Sequence, residues 1–160
     1  MEELIFMSYK FGVMTQKQAE TIAFKWHYDD DYSFYDMEAD EEDLKEFLNP
    51  IARGSSTYAV FNDDDLIGFF SINKVDDQTF DIGLGMRPDL TGKGKGLEFL
   101  EEGINFVKAT YKPKRITLSV ATFNDRAIKV YRKLGFEDVD TFMQDTNGST
   151  FEFLKMSYEC

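Results

Sequence analysis

Five consecutive residues, Gly92-Lys93-Gly94-Lys95-Gly96, carry the most suggestive chemistry in this 160-residue chain. Glycines leave the main chain open to a ligand, and the two lysines add positive charge. Behind them Leu97, Leu100, Ile104 and Val107 recur three or four residues apart, which predicts a helix from about Lys93 to Ala109. Ahead of them Gln78 to Met86 reads as a strand that Pro88 helps to end. A glycine-rich turn therefore joins a strand to a helix start. First-turn N–H groups have no helical partners there, and the positive end of the helix dipole points outward. In chemical terms this is a phosphate cradle.

Two familiar phosphate patterns do not fit. A P-loop requires a glycine five residues before Gly92, where Arg87 stands, and Ser or Thr after Lys93, where Gly94 stands. A dinucleotide fingerprint puts its third glycine at the position of Leu97. On these residues alone, a turn whose glycines serve only the turning stays open. What does match is Thr91 to Gly96, which resembles the acyl-CoA-binding motif [QR]-x-x-G-x-[GA] of the GNAT N-acetyltransferase superfamily. Thr91 stands where Gln or Arg is usual. A second block, N-D-R-A-I-K-V-Y-R-K-L-G-F from Asn124 to Phe136, resembles that family's N-x-x-A-x-x-x-Y-x-x-x-G-F signature. The two blocks and the elements between them cover residues 79–136. The amino-terminal third matches only in its pattern of elements.

The resemblance implies an acetyl-CoA-dependent N-acetyltransferase, with no metal. It implies that pantetheine bonds to main-chain groups at Leu84, Gly85 and Met86, and that the pyrophosphate rests on Thr91, Gly92, Lys93, Gly94, Lys95 and Gly96. Asn124, Arg126 and Tyr131 complete the expected donor set, with Lys129 a further cation near the phosphates. Tyr131 is the expected general acid, since a phenol of pKa about 10 stays protonated at neutral pH yet can donate to a departing thiolate. Attack requires a deprotonated amine, and a lysine-like amine is neutral only about once in 2,500 at pH 7, a penalty of roughly 4.6 kcal/mol. Asp81 matches the family's acidic strand position and is the expected base, with Glu38 and Asp30 as alternatives from the acceptor side. Trp26, Tyr28, Tyr32 and Tyr35 are the expected acceptor-pocket aromatics, or else simply packing for the helices. A non-catalytic acyl-CoA sensor and a protein amino-terminal acetyltransferase are the alternative functions.

Charge distribution narrows the partners. The net charge is −12, which disfavours nonspecific nucleic-acid binding. Ten carboxylates and one cation, Lys45, fall between Asp29 and Glu46, a stretch suited to a cationic small-molecule or peptide amine. Between Arg87 and Arg115 seven Lys/Arg outnumber four Asp/Glu, a local excess that suits a phosphorylated ligand. No apolar run is long enough for a membrane span, and the first ten residues lack a secretion signal's pattern. The lone cysteine, Cys160, fits a reducing, cytoplasmic setting. His27, the only histidine, has no metal-ligand set around it in the sequence. Pairing of two copies through their sheets is expected by family analogy only.

The elements that must position these groups follow from pattern. Glu3–Lys10 reads as a first strand. Thr15 and Gln18 form a capping-box signature, followed by a helical face of Ala19, Ile22, Ala23 and Trp26. Asp40–Leu48 reads as a short helix stopped near Asn49-Pro50. Ser56–Phe61 and Leu66–Val75 read as a hairpin around N-D-D-D. Arg115–Ala121 alternates as a strand, and a helix from Asn124 stops at Gly135. Glu137–Gln144 and Thr150–Tyr158 are the final strands. The expectation is one α/β (α+β) domain over residues 1–160, in the order β-α-α-β-β-β-α-β-α-β-β. Its mixed, mostly antiparallel sheet has about seven strands and, by the resemblance, splays between strands 79–86 and 115–121.

Overall fold

In the computed structural model, which describes residues 9–91 and 94–160, Thr15 and Gln18 open the first helix as a reciprocal pair. Gln18 N donates to Thr15 Oγ1 at 3.2 Å, and Thr15 N donates to Gln18 Oε1 at 2.9 Å. A cap of this kind contributes about 1 kcal/mol. The helix α1 (Gln16–Lys25) buries Ala19, Ile22 and Ala23, and Trp26 at its end is buried with them. Before it, β1 runs Tyr9–Val13, further than the expected stop at Lys10. Its length is set by its antiparallel partner β2 (Thr57–Asn62), with Tyr9 opposite Asn62 and Val13 opposite Tyr58. Residues 3–8 of the expected strand lie outside the described residues.

Two 3-10 segments, Asp30–Tyr35 and Met37–Ala39, lead to α2 (Glu41–Leu48). Asp40 caps it, accepting from Asp43 N at 3.0 Å. An extra turn, α3 (Pro50–Arg53), follows where sequence reading expected only a stop; Asn49 caps it and Pro50 suits a first helical position. Arg53 is buried, against the usual rule for a cation. Its guanidinium donates to the Phe47 carbonyl and to Gln16 Oε1, and Gln16 Nε2 donates to the Leu48 carbonyl. One side chain thus ties α1, α2 and α3.

The remaining elements are β3 (Asp65–Lys74), β4 (Thr79–Met86), α4 (Gly96–Tyr111), β5 (Arg115–Ala121), α5 (Asp125–Leu134), β6 (Glu137–Thr146) and β7 (Ser149–Glu159). Their order is the expected one. The fold is an α/β domain with a seven-stranded mixed sheet in the order β1-β2-β3-β4-β5-β7-β6. The β1/β2, β2/β3, β5/β7 and β6/β7 pairs are antiparallel, whereas β4 and β5 are parallel. Described pairing of β4 on β5 covers Thr79–Asp81 against Arg115–Thr117, and both strands run on beyond it.

The chain divides into two compact units, one up to Ser71 with Leu84–Leu90, the other Ile72–Gly83 with Thr91–Cys160. In the first, Met14, Ala19, Ile22, Trp26 and Ala59 form a core that Phe47, Phe61, Leu66 and Phe69 flank. In the second, α4 buries Phe99, Leu100, Ile104 and Val107, and packs against α5. Ile116, Leu118 and Val120 of β5 are buried as their alternation predicts. Each such side chain stabilises the fold by about 1.5–3 kcal/mol relative to exposure.

Candidate active site

The end of β4 lies in the first unit. Met86 closes the strand, and the peptide that joins it to Arg87 is held at both polar ends. Arg87 N donates to the Ile67 carbonyl of β3 at 2.8 Å, and the Tyr28 hydroxyl donates to the Met86 carbonyl at 2.7 Å. The Arg87 guanidinium donates to the Leu66 carbonyl at 3.2 Å and pairs with Asp89 at 2.6 Å, so the exit from the strand is held as well. Gly85 has a packing reason to be glycine: a Cβ there would overlap Cε1 of the Phe69 ring and lie 2.8 Å from Cζ. The room left by its missing side chain is therefore filled by Phe69.

Tyr28 is itself held from behind. Its N–H donates to Asp36 Oδ1 at 2.7 Å, and Asp36 Oδ2 lies 3.0 Å from His27 Nδ1. His27 Nε2 faces the Phe24 carbonyl at 2.9 Å. Carboxylates and carbonyls only accept, so the doubly protonated imidazolium satisfies both contacts. The Asp36 bond, then the Phe24 carbonyl, raises the His27 pKa above its ordinary value. Burial, with the Asp36 charge adding to it, raises that of Tyr28 well above a normal phenol and keeps its hydroxyl a donor. Of the other expected pocket aromatics, Trp26 is 6% exposed within the core, Tyr32 is half-buried, and Tyr35 packs edge-on against Phe34 at 5.1 Å.

Two helix starts and a carboxylate lie in the second unit. Gly94 has φ +75°, a left-handed conformation that L side chains rarely adopt, and the space around its missing Cβ is open. That conformation explains why α4 begins at Gly96 and not at the expected Lys93. Lys95 is its N-cap residue, and the Lys95 side chain makes no capping hydrogen bond. A Cβ on Gly96 would lie 3.7 Å from Val130 Cγ2 of α5. Gly92, Lys93 and the side chain of Asp30 lie outside the described residues; Thr91 is half-buried.

Asn124 is 8% exposed and caps α5, its Oδ1 accepting from Ala127 N at 3.2 Å. Tyr131, two turns on, is half-buried with its ring 6.0 Å from that of Phe136. The end of the helix is fixed close by: Gly135 has φ +119°, and Phe136 N donates to the Tyr131 carbonyl at 3.0 Å. Arg126 and Lys129 are exposed on the same helix. Asp81 is half-buried on β4 and accepts from Thr117 Oγ1 at 2.7 Å, the two residues being directly opposite in the parallel register. Sequence reading missed Thr117, Asp36 and the Arg87 anchor. Alternation marks Thr117 as facing away from Ile116 and Leu118, but its partner depends on strand register. Among the described residues no group of three or more His, Cys, Asp or Glu could hold a metal ion, and no helix is long and apolar enough to cross a membrane.

The family model described as "Acetyltransferase (GNAT) domain" matches residues 12–137. No curated protein matches the chain significantly. Among solved structures, a GNAT-family acetyltransferase from Bacillus anthracis superposes with a TM-score of 0.74 at 19% identity, covering 95% of each chain. Spermidine N-acetyltransferase from Vibrio cholerae, solved with CoA and spermine, gives 0.73 at 16% identity over 96% of each chain. The Campylobacter jejuni N-acetyltransferase PseH gives 0.65 at 24% identity over 95% of this chain and 98% of that one. At these identities the structures speak for the fold alone.

Proposed function

Because the chain belongs to the GNAT acetyltransferase family, as the match over residues 12–137 shows, we propose that it moves the acetyl group of acetyl-CoA directly to a primary amine. The acceptor in this reading is a small cationic, polyamine-like molecule or a peptide. The observation that carries it is the start of α4: left-handed Gly94 with open space around it, then Lys95 with no side-chain cap. Main-chain N–H groups at such a start suit a diphosphate, and Lys95 adds charge. Thr91, Gly92, Lys93 and Gly96 complete that cradle in the proposal, with Asn124 and Arg126 on α5 and the main chain of Leu84, Gly85 and Met86 along the pantetheine.

The amine nitrogen attacks the thioester carbonyl carbon; a C–N bond forms and the C–S bond breaks. A main-chain N–H near Met86 stabilises the oxyanion that develops in between. The leaving sulfur takes the proton of the Tyr131 hydroxyl, and the amine's proton passes to Asp81, directly or through water. Thr117 holds the Asp81 carboxylate by one oxygen, which orients it for that task. Tyr32 and Tyr35 are the proposed acceptor contacts, and Glu38 and the neighbouring acids draw in a cationic amine. Trp26 and Tyr28 support this region from the core and from the Met86 carbonyl. The carboxylate-rich segment favours a cation, and the structurally similar V. cholerae spermidine N-acetyltransferase was solved in complex with spermine.

The experiment is a panel of polyamines, aminoglycosides and peptide amino termini incubated with acetyl-CoA. Release of free thiol and an acetylated amine by mass spectrometry are the expected results. Tight CoA binding with no acetylated product would overturn the enzymatic reading in favour of an acyl-CoA sensor.

A further inference from the structure

The contacts at the end of β4 assign Tyr28 a task that sequence reading did not give it. A trans peptide points its C=O and N–H in opposite directions. Every described peptide is trans, and Arg87 N–H points at Ile67 on β3. The Met86 carbonyl therefore points away from β3, along the strand's other edge, and there the Tyr28 hydroxyl meets it at 2.7 Å. Within one extended residue the N–H and C=O lie on the same edge. The Met86 N–H consequently belongs to the edge where the Tyr28 hydroxyl sits.

We propose that Tyr28 is a positioning residue for the acetyl group: it holds the Met86 carbonyl, so that the Met86 N–H is the group presented to the thioester oxygen. This rests on the donor reading of the end of β4 given above. An unheld carbonyl at that place would compete with the N–H, because it repels a thioester oxygen and the oxyanion that forms from it. A phenol that donates to the carbonyl neutralises that repulsion and fixes the peptide plane. Ile67 fixes the same plane from the opposite edge, so rotation of the Met86–Arg87 peptide breaks two hydrogen bonds at once. Asp36 keeps Tyr28 in register through its main-chain N–H, and His27 keeps Asp36. The chain of contacts runs His27, Asp36, Tyr28, Met86, all within the first unit.

Tyr28→Phe keeps the ring and removes the donor. Calorimetry with CoA and with acetyl-CoA, and turnover with the amine identified in the panel, read its effect. Loss of one buried hydrogen bond at the reacting group is expected to lower kcat about tenfold and acetyl-CoA affinity about fivefold. CoA, which has no thioester oxygen, is expected to bind within about twofold of wild type, since the lost hydrogen bond bears on the thioester end while its diphosphate and the rest of its pantetheine keep their contacts. Equal weakening of CoA and acetyl-CoA, or unchanged kcat, overturns the assignment and leaves Tyr28 a packing residue. Should Tyr28→Phe not fold, Asp36→Asn decides, because its amide oxygen still accepts from Tyr28 N–H while its NH2 opposes His27. A selective loss of kcat, about threefold with unchanged CoA affinity, supports the proposal, and unchanged kcat defeats it. If wild-type protein binds neither CoA nor acetyl-CoA, the donor reading itself fails and this inference falls with it; wild-type turnover beside an unaffected Tyr28→Phe sinks this inference alone.

Discussion

The two long helices of the second unit begin in opposite ways. At α5, Asn124 folds its side chain over the first turn and takes up the Ala127 N–H. At α4, a left-handed glycine precedes a lysine that makes no side-chain cap. Elsewhere α1, α2 and α3 follow α5, with Thr15, Asp40 and Asn49 as side-chain caps. Side-chain caps contribute about 1 kcal/mol each, so a start built without one gives up stability that a bound anion can restore. The difference separates a helix start closed by its own side chain from one without such a cap. It also divides the proposed labour: α4 holds the donor, and α5 carries the residue that quenches the leaving group.

The division can be broken first at Tyr131. Tyr131→Phe is expected to lower kcat about 10²-fold or more, the usual share of a general acid, while CoA affinity stays within about twofold. Single-turnover kinetics beside calorimetry measure both; a variant as fast as wild type would remove Tyr131 from the chemistry. Next comes the start of α4. Gly94→Val forces a branched side chain into φ +75° and should weaken CoA binding at least tenfold, with about 1–2 kcal/mol of lost stability. Retained affinity would mean the cradle lies elsewhere. At α5 the sign of the comparison reverses: Asn124→Ala should cost about 1 kcal/mol of stability, a fall in Tm of about 2–4 °C, and Asn124→Asp should recover most of it by keeping a capping oxygen. Thermal melts without ligand test this.

The smallest effect is one of pH, in the first unit. His27 is 54% exposed and its pKa is raised by Asp36 and by the Phe24 carbonyl. A folded pKa above the unfolded value means the stabilisation is fully present below about pH 6.5 and fades as pH rises through the raised pKa. Urea midpoints between pH 5.5 and 8.5 should therefore fall at the alkaline end, by less in His27→Gln than in wild type. Equal pH dependence in the two proteins would detach His27 from the Asp36 contact.

Much of the fold was legible locally. Thr15 with Gln18, Asn124 with Gly135, and the alternation of Arg115–Ala121 each specify an element through neighbours a few residues away, and each was found where expected. Boundaries moved where a distant partner or a single backbone angle decided them. β1 extends to Val13 because β2 pairs that far, and α4 starts late because Gly94 is left-handed. The expected pocket aromatics divided: Trp26 went into the core with the helical face its spacing marks, whereas Tyr28 spent its hydroxyl on a residue 58 positions away, which no spacing predicts. Arg53, read from composition, belongs outside; its burial depends on three helices meeting around it.

The sequence by itself determined the glycine-lysine turn, the Asn124–Phe136 block, the element order and the charge segregation, because periodicity, caps and turn residues act over three to seven positions. Tertiary structure alone decided which groups those elements present: Thr117 on Asp81, Tyr28 on Met86, Phe69 over Gly85. Those pairings depend on strand register and on side chains from remote segments; a one-residue slip of β4 against β5 would turn Asp81 to the face opposite Thr117.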